Sequence, residues 1–152
     1  MSDLELVKSQ LPDELSRAST MLGWTIEDVN LGEKSVVVSF QATEQFTNPI
    51  GLVQGGILTA MMDDTMGPAV VIATGGEKFP TSTDIHTQFF KGAHPGKLIC
   101  TARVTKLGRS MAFTSAELRN TEGDLLCSAI QTAKLVALDM KAAGEAGQEQ
   151  GE

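Results

Sequence analysis

Residues 48–64 read NPIGLVQGGILTAMMDD, and the fold turns on what the paired glycines begin. From about Gln54 to Thr74 the chain is apolar with few charges, and Gly75-Gly76 follows as the stop signal of a helix. Asp63 and Asp64 fall about two turns into this helix, behind Ile57, Leu58, Ala60, Met61 and Met62. At about 100° per residue, Gly56, Thr59, Asp63 and Gly67 share one stripe of small residues and a single acid. Asp64 points about 100° away, beside Ala60 and Met61. A carboxylate in apolar surroundings is costly to ionise unless partnered, which makes Asp63 a candidate nucleophile or general base. The plain alternative is a hydrogen-bonded structural acid. Pro68, inside the helix, is expected to kink it just past the acids by removing one backbone bond.

Outward from this helix the chain reads as strands. Met21–Leu31 and Ser35–Ala42 are strand-like runs joined through Gly32-Glu33-Lys34, a hairpin signal. Beyond the helix come Thr83–Lys91, Leu98–Leu107, Met111–Arg119 and Leu125–Leu138, divided by the breaker Gly92-Ala93-His94-Pro95-Gly96 and by Asn120-Thr121-Glu122-Gly123-Asp124. In Leu98–Leu107, Cys100, Ala102 and Val104 alternate with Thr101, Arg103 and Thr105, the period of a half-buried strand. Ahead of all this, residues 3–18 carry Leu4, Leu6, Val7, Leu11 and Leu15 at helical spacing, with Pro12 placed to split the segment. The expectation is one α+β domain over residues 1–138, an antiparallel sheet wrapped around one long central helix. Residues 139–152 are small, polar and glycine-rich, the composition of a disordered tail.

Bulk properties narrow the function. A formal charge of −7 argues against a nucleic-acid or anionic-membrane surface, though not against a small anionic ligand met by a few local cations. The first residues carry acids and no apolar core of a secretory signal, and no apolar run reaches membrane-span length, so the expected location is cytoplasmic. Cys100 and Cys127 have neither disulfide-framework nor metal-ligand spacing, and the two histidines, His86 and His94, sit in no ligand-spaced motif; no metal is expected.

Gln54-Gly55-Gly56 begins the helix, where unpaired N–H groups attract partial negative charge. Without a Cβ at Gly55, a carbonyl oxygen can reach its N–H directly. A simple tight turn into the helix is the alternative. Eight residues of helix separate Gly55 from Asp63, about 12 Å, too far for one carbonyl to touch both. Two copies of the helix packed antiparallel would bring Gly55 of one to Asp63 of the other, so the two elements form one site only in a homodimer.

With these residues in place, the chain resembles the hotdog-fold acyl-CoA thioesterases of the PaaI-like, 4-hydroxybenzoyl-CoA thioesterase-like group. Their pattern N-x-x-G-x-x-H-G-G, then a helix bearing an acid, is matched here by Asn48, Gly51, Gln54, Gly55, Gly56 and Asp63. PTSTDIHTQFFKGAHPGKL and VTKLGRSMAFTSAELRNTEGDLLCSA look like the remaining strands, with Gly108-Arg109 in a turn; the likeness covers roughly Trp24 to Val136. The resemblance implies a hotdog fold and hydrolysis of an acyl- or aryl-CoA thioester, with CoA part of the substrate and no separate cofactor. It gives the Gly55 N–H the polarising of the carbonyl, and gives Asp63 of the partner subunit the attack or the activation of water. It places Asn48 at the carbonyl or the water, and Ser82 within reach of the water or Asp63. Each has a plainer reading, Asn48 before Pro49 as turn chemistry and Ser82 as a strand residue. Lys91, Lys106 and Arg109, all near turns, are candidates for the CoA phosphates, although any one of them is an ordinary solvated charge just as readily. Gln54 departs from the family, which usually has histidine there; glutamine hydrogen-bonds but carries no proton charge. That departure keeps open a non-catalytic acyl-CoA or lipid-binding module. A hydratase would want a histidine beside the acid, which nothing in the sequence supplies. Acyl-chain preference, and dimer against dimer of dimers, are not encoded in any motif.

Overall fold

The computed structural model describes residues 1–138; the tail expected to be disordered, 139–152, lies outside the described residues. Six strands form one antiparallel sheet in the order β1-β2-β4-β5-β6-β3. They are β1 (Thr25–Asn30), β2 (Ser35–Ala42), β3 (Lys78–Phe89), β4 (Gly96–Leu107), β5 (Met111–Asn120) and β6 (Leu125–Ala137). The long helix α3 (Gly55–Ala73) packs against this sheet, and two short helices, α1 (Asp3–Lys8) and α2 (Arg17–Leu22), lead into it.

Residues 3–18 do not make one helix. Helix α1 is closed at its start by a reciprocal capping box between Ser2 and Glu5, and it stops before Pro12. Ser16 caps α2, and Gly23, at φ 72°, turns the chain out of it into β1. Residues 21–22, expected in a strand, are therefore helical. The β1–β2 hairpin forms through the expected turn, with Asn30 Oδ1 accepting from the Glu33 N–H and Lys34 at φ 53°. Strand β3 starts earlier than its apolar pattern, because Lys78–Ser82 pair with Ala137–Ala133 of β6. A twelve-residue strand with a neighbour on one side only among the described residues, β3 is a long edge.

The inward faces of β2, β4, β5 and β6 meet one side of α3. Leu58, Met61, Met62, Thr65, Met66, Ala69 and Val70 are buried there against Val38, Phe40, Leu98, Cys100, Leu118 and Leu126. Burying each large apolar side chain contributes about 1.5–3 kcal/mol. The expected sheet-on-helix architecture is present, and it leaves part of the helix accessible. A single sheet layer covers one side, and Thr59, Asp63 and Gly67 are half-buried while Gly56 is exposed. Thr74 ends α3, and Gly75 and Gly76, at φ 64° and 82°, return their N–H groups to the carbonyls of Ile72 and Val71.

Pro68 leaves the carbonyl of Asp64, four residues earlier, without its helical donor. The Trp24 indole supplies one, with Nε1 donating to that oxygen at 2.9 Å. The helix runs on through the proline because a neighbouring element replaces the missing bond.

Candidate active site

The entry to α3 is built by backbone. Val53 N–H donates to Ala93 O and Gln54 N–H to Phe46 O, each at 2.8 Å, so the helix start is pinned between two loops. Gln54 is the N-cap but its side chain makes no capping bond, and Ile57 and Leu58 are the first donors back to Gln54 O. The N–H groups of Gly55 and Gly56 thus carry the positive end of the helix with no partner among the described residues. The Phe89 ring lies against Gly55, where an added Cβ would stand 3.1 Å from the ring. Asn48 is committed to the preceding turn, its Oδ1 accepting from the N–H groups of Ile50 and Leu52 at 3.1 Å each. A cleft of about 330 Å³ opens here, lined by Asn48, Leu52, Gly55, Phe89, Phe90 and Lys91 among others.

Asp63 lies elsewhere on the helix. Ser82 Oγ donates to Asp63 Oδ1 at 3.1 Å, Gln131 Nε2 donates to the same oxygen, and Gln131 Nε2 also reaches Ser82 Oγ at 2.9 Å. Oδ1 therefore has two donors, and Oδ2 has none from the described chain. A bulge in β3 between Ser82 and Asp84 resets the strand's alternation. As a result Ser82 reaches Asp63 while Thr87, on the other side of the bulge, bonds Thr59 at 3.2 Å and Phe89 covers Gly55. One face of β3 thus tracks the open stripe of α3.

Neighbouring Asp64 belongs to the frame. Its Oδ1 accepts from Ser19 Oγ at 3.1 Å, tying α3 to α2. Burial, opposed by that hydrogen bond and aided by the charge of Asp63, pushes its carboxyl above the usual range.

The resemblance placed Ser82 within reach of the water or Asp63, and the structure shows the bond to Asp63; Gln131, which is 3% exposed, was missed. The signal was available. Cys127, Ala129, Gln131, Ala133 and Leu135 are the inward positions of β6, and a lone amide in that register is the informative departure. The three basic candidates lie apart within one chain. Lys91 is on the rim of the cleft in a 2.7 Å ion pair with Asp124, which raises the lysine's pKa. Lys106 and Arg109 are exposed at the β4–β5 end of the sheet, the opposite end from the Gly55 cleft and nearer Asp63. Cys100 and Cys127 are free and buried, and burial pushes both thiols up to about 12, which leaves them unreactive. His86 and His94 are exposed and make no contact with Asp63. No group of three metal-ligating side chains occurs among the described residues, and no helix there is long and apolar enough to cross a membrane.

Comparison with known proteins adds to this geometry. The model of the thioesterase superfamily matches residues 50–127. Human acyl-coenzyme A thioesterase 13 is 31% identical over 93 residues, a match covering 60% of this chain and 66% of the human protein, just under two thirds. Among solved structures, a phenylacetic acid degradation-related protein of Ralstonia eutropha JMP134 is 28% identical with a TM-score of 0.78, covering 86% of this chain and 97% of that one. The E. coli PaaI protein from the phenylacetic acid degradation operon, at 20% identity and a TM-score of 0.69, shares the fold over 77% of this chain and 86% of its own.

Proposed function

The chain belongs to the thioesterase superfamily, as a hotdog-fold, PaaI-like member, and from that premise we propose that it hydrolyses an acyl- or aryl-CoA thioester to the free acid and CoA. The observation that carries this reading is the Asp63 carboxylate. One oxygen is held by Ser82 and Gln131 and the other has no partner among the described residues, on the half-buried stripe of α3 that β3 and β6 border. The unpaired Gly55 N–H, at the positive helix end, polarises the thioester carbonyl and stabilises the oxyanion that develops there. Asp63 Oδ2 then either attacks the carbonyl carbon, giving an anhydride that water opens, or takes a proton from the attacking water. On either route the C–S bond breaks and the CoA sulfur leaves as a thiolate that takes up a proton. No separate cofactor enters the reaction.

The active unit in this reading is a homodimer. The Gly55 cleft and the Asp63 cluster lie too far apart along one helix to share a carbonyl. Pairing two copies along their open helix stripes and β3 edges joins the cleft of one to the carboxylate of the other. The same pairing brings Lys91 of one subunit toward Lys106 and Arg109 of the other, so the three basic candidates for the CoA phosphates converge only in the dimer. Asn48 frames the carbonyl pocket, and Gln54, at the N-cap, faces solvent beside it. Exposed apolar groups on the outer face of the sheet, among them Phe113 and Ile130, favour a dimer of dimers. Two free thiols fit a reducing, cytoplasmic setting.

The test is thiol release from short-, medium- and long-chain and aryl CoA thioesters, run beside Asp63→Asn. Turnover that collapses in the variant supports the hydrolase with Asp63 as its acid. Turnover that survives moves the chemistry off Asp63. Tight binding of the thioesters without turnover makes the protein an acyl-CoA-binding module, with Gln54 in place of histidine as the residue to revert.

A further inference from the structure

Two polar atoms of the inner sheet face, Thr114 Oγ1 and Gln131 Oε1, are buried without a partner among the described residues. Both residues are almost fully enclosed, Thr114 at 2% exposure and Gln131 at 3%. They are also registered directly opposite one another across the β5–β6 pair. Residues so paired hold their Cβ atoms about 4.5–5.5 Å apart. One is a hydroxyl that needs an acceptor and the other an amide oxygen that needs a donor. A hydrogen bond from Thr114 to Gln131, direct or through one water, satisfies both, and leaving both unmade is costly in an apolar interior.

The orientation of the Gln131 amide follows from its other end. With Nε2 toward Asp63 and Ser82, it donates to a carboxylate oxygen and a hydroxyl. Turned over, it would set an amide oxygen against the carboxylate, which repels it. The Thr114 hydroxyl favours the same orientation, because it offers a donor to Oε1. From these contacts we infer that Gln131, braced by Thr114, is the positioning residue that fixes the Asp63 carboxylate with Oδ2 turned to the substrate. Hydrogen bonds join Gln131 on β6, Ser82 on β3 and Asp63 on α3, and the Thr114–Gln131 bond of this inference extends them to β5 across an otherwise apolar layer. Such a chain holds a reacting oxygen to within fractions of an ångström only when every member is satisfied. Gln131 touches no substrate in this arrangement. It acts through Asp63, and Thr114 acts through Gln131.

The inference rests on the hydrolase reading, and its test separates the two. Steady-state kinetics on the best thioester of the panel are measured for the wild type, Asp63→Asn, Gln131→Met, Thr114→Val, Thr114→Ser and the Thr114→Val/Gln131→Met pair, each with its melting temperature. Gln131→Met keeps the side-chain length and removes the donor, and kcat is expected to fall on the order of 10²-fold with KM within about twofold. Thr114→Val is expected to lower kcat about tenfold, the scale of one hydrogen bond, and Thr114→Ser to restore it. The double variant falls no further than Gln131→Met alone, since the threonine has no other route to the acid. A wild-type kcat in Gln131→Met, beside an inactive Asp63→Asn, overturns the positioning role and leaves the hydrolase standing. Independent, multiplying losses from Thr114 and Gln131 overturn the brace. If Gln131→Met does not fold, the contrast of Thr114→Val with Thr114→Ser decides, and equal kcat in those two overturns the inference. A wild type that turns over no thioester removes the hydrolase reading and this role with it.

Discussion

Asp63 and Asp64 are adjacent in the chain and about 100° apart on the helix, and their surroundings have little in common. Asp64 faces α2, where Ser19 bonds its carboxylate, and Trp24, just past the end of α2, bonds its backbone oxygen. One of its carboxylate oxygens, Oδ2, is buried with no partner among the described residues. Asp63 faces β3 and β6, and its two donors, Ser82 and Gln131, both fall on one oxygen. The contrast teaches that the work of a carboxylate is set by what the neighbouring strands and helices present to it. Asp64 ties α2 and Trp24 to a helix that contains a proline and shuts its spare oxygen inside, whereas the spare oxygen of Asp63 is not enclosed.

Substituting one acid at a time is the sharpest way to break that contrast. Asp63→Asn preserves shape and is expected to lower kcat by about 10²–10⁴-fold while the melting temperature stays near wild type. Asp64→Asn is expected to leave kcat within about twofold, a scale on which a peripheral contact is lost. Equal losses of turnover from the two variants would erase the distinction.

The next largest effect concerns which subunit Asp63 serves. Gly55→Ala pushes a methyl to 3.1 Å from the Phe89 ring and crowds the N–H, and is expected to cost about 10²-fold in kcat/KM. Mixed under conditions that exchange subunits, Gly55→Ala and Asp63→Asn are expected to recover about a quarter of the wild-type activity, because random pairing leaves one intact site in half of the dimers. A mixture as inactive as its parts would place Gly55 and Asp63 in separate functions.

Trp24→Phe tests the other face. It removes the donor to the Asp64 carbonyl and leaves an unmet helix oxygen beside Pro68, which is expected to cost about 1–3 kcal/mol in chemical denaturation with kcat unchanged. A fully stable variant would mean that the helix passes its proline without help.

The smallest effect is a pH dependence. Burial, with the Asp63 charge adding to it and the Ser19 bond opposing it, raises the folded-state pKa of Asp64 above that of the unfolded chain. In the window between the two pKa values the folded protein binds the proton more tightly, so this group's contribution to stability is present below the unfolded value and is lost as pH rises through the raised one. Asp64→Asn removes that loss. Its stability against pH is expected to be flatter above the ordinary aspartate range, by within about 1 kcal/mol. An unchanged slope would show that Asp64 is not the group responsible.

Several of these features were readable from residue order. The apolar run after Gly55-Gly56, the glycine pair that stops it and the alternating strands beyond gave helix and sheet, because periodicity reports which side of an element is buried. The stripe of Gly56, Thr59, Asp63 and Gly67 was legible for the same reason, and so was the distance that separates Gly55 from Asp63. Other features lay beyond any local pattern. Pro12 foretold the break in residues 3–18, but not that α2 would run on to Leu22 and be followed by the Trp24–Asp64 bond, a contact made across about forty residues of chain. The bulge that lets Ser82 and Phe89 face the same helix is a property of how β3 pairs with β6. The alternation of β6 marks Gln131 as an inward amide, but that it stands opposite Thr114 is decided only when β5 and β6 are in register. Sequence alone determined which elements form and which acid stands on the small-residue stripe, since propensity and period are local. Tertiary structure decided which oxygen of that acid is held and by what, since a hydrogen bond between strands depends on register, and register is fixed only when the whole sheet closes on its helix.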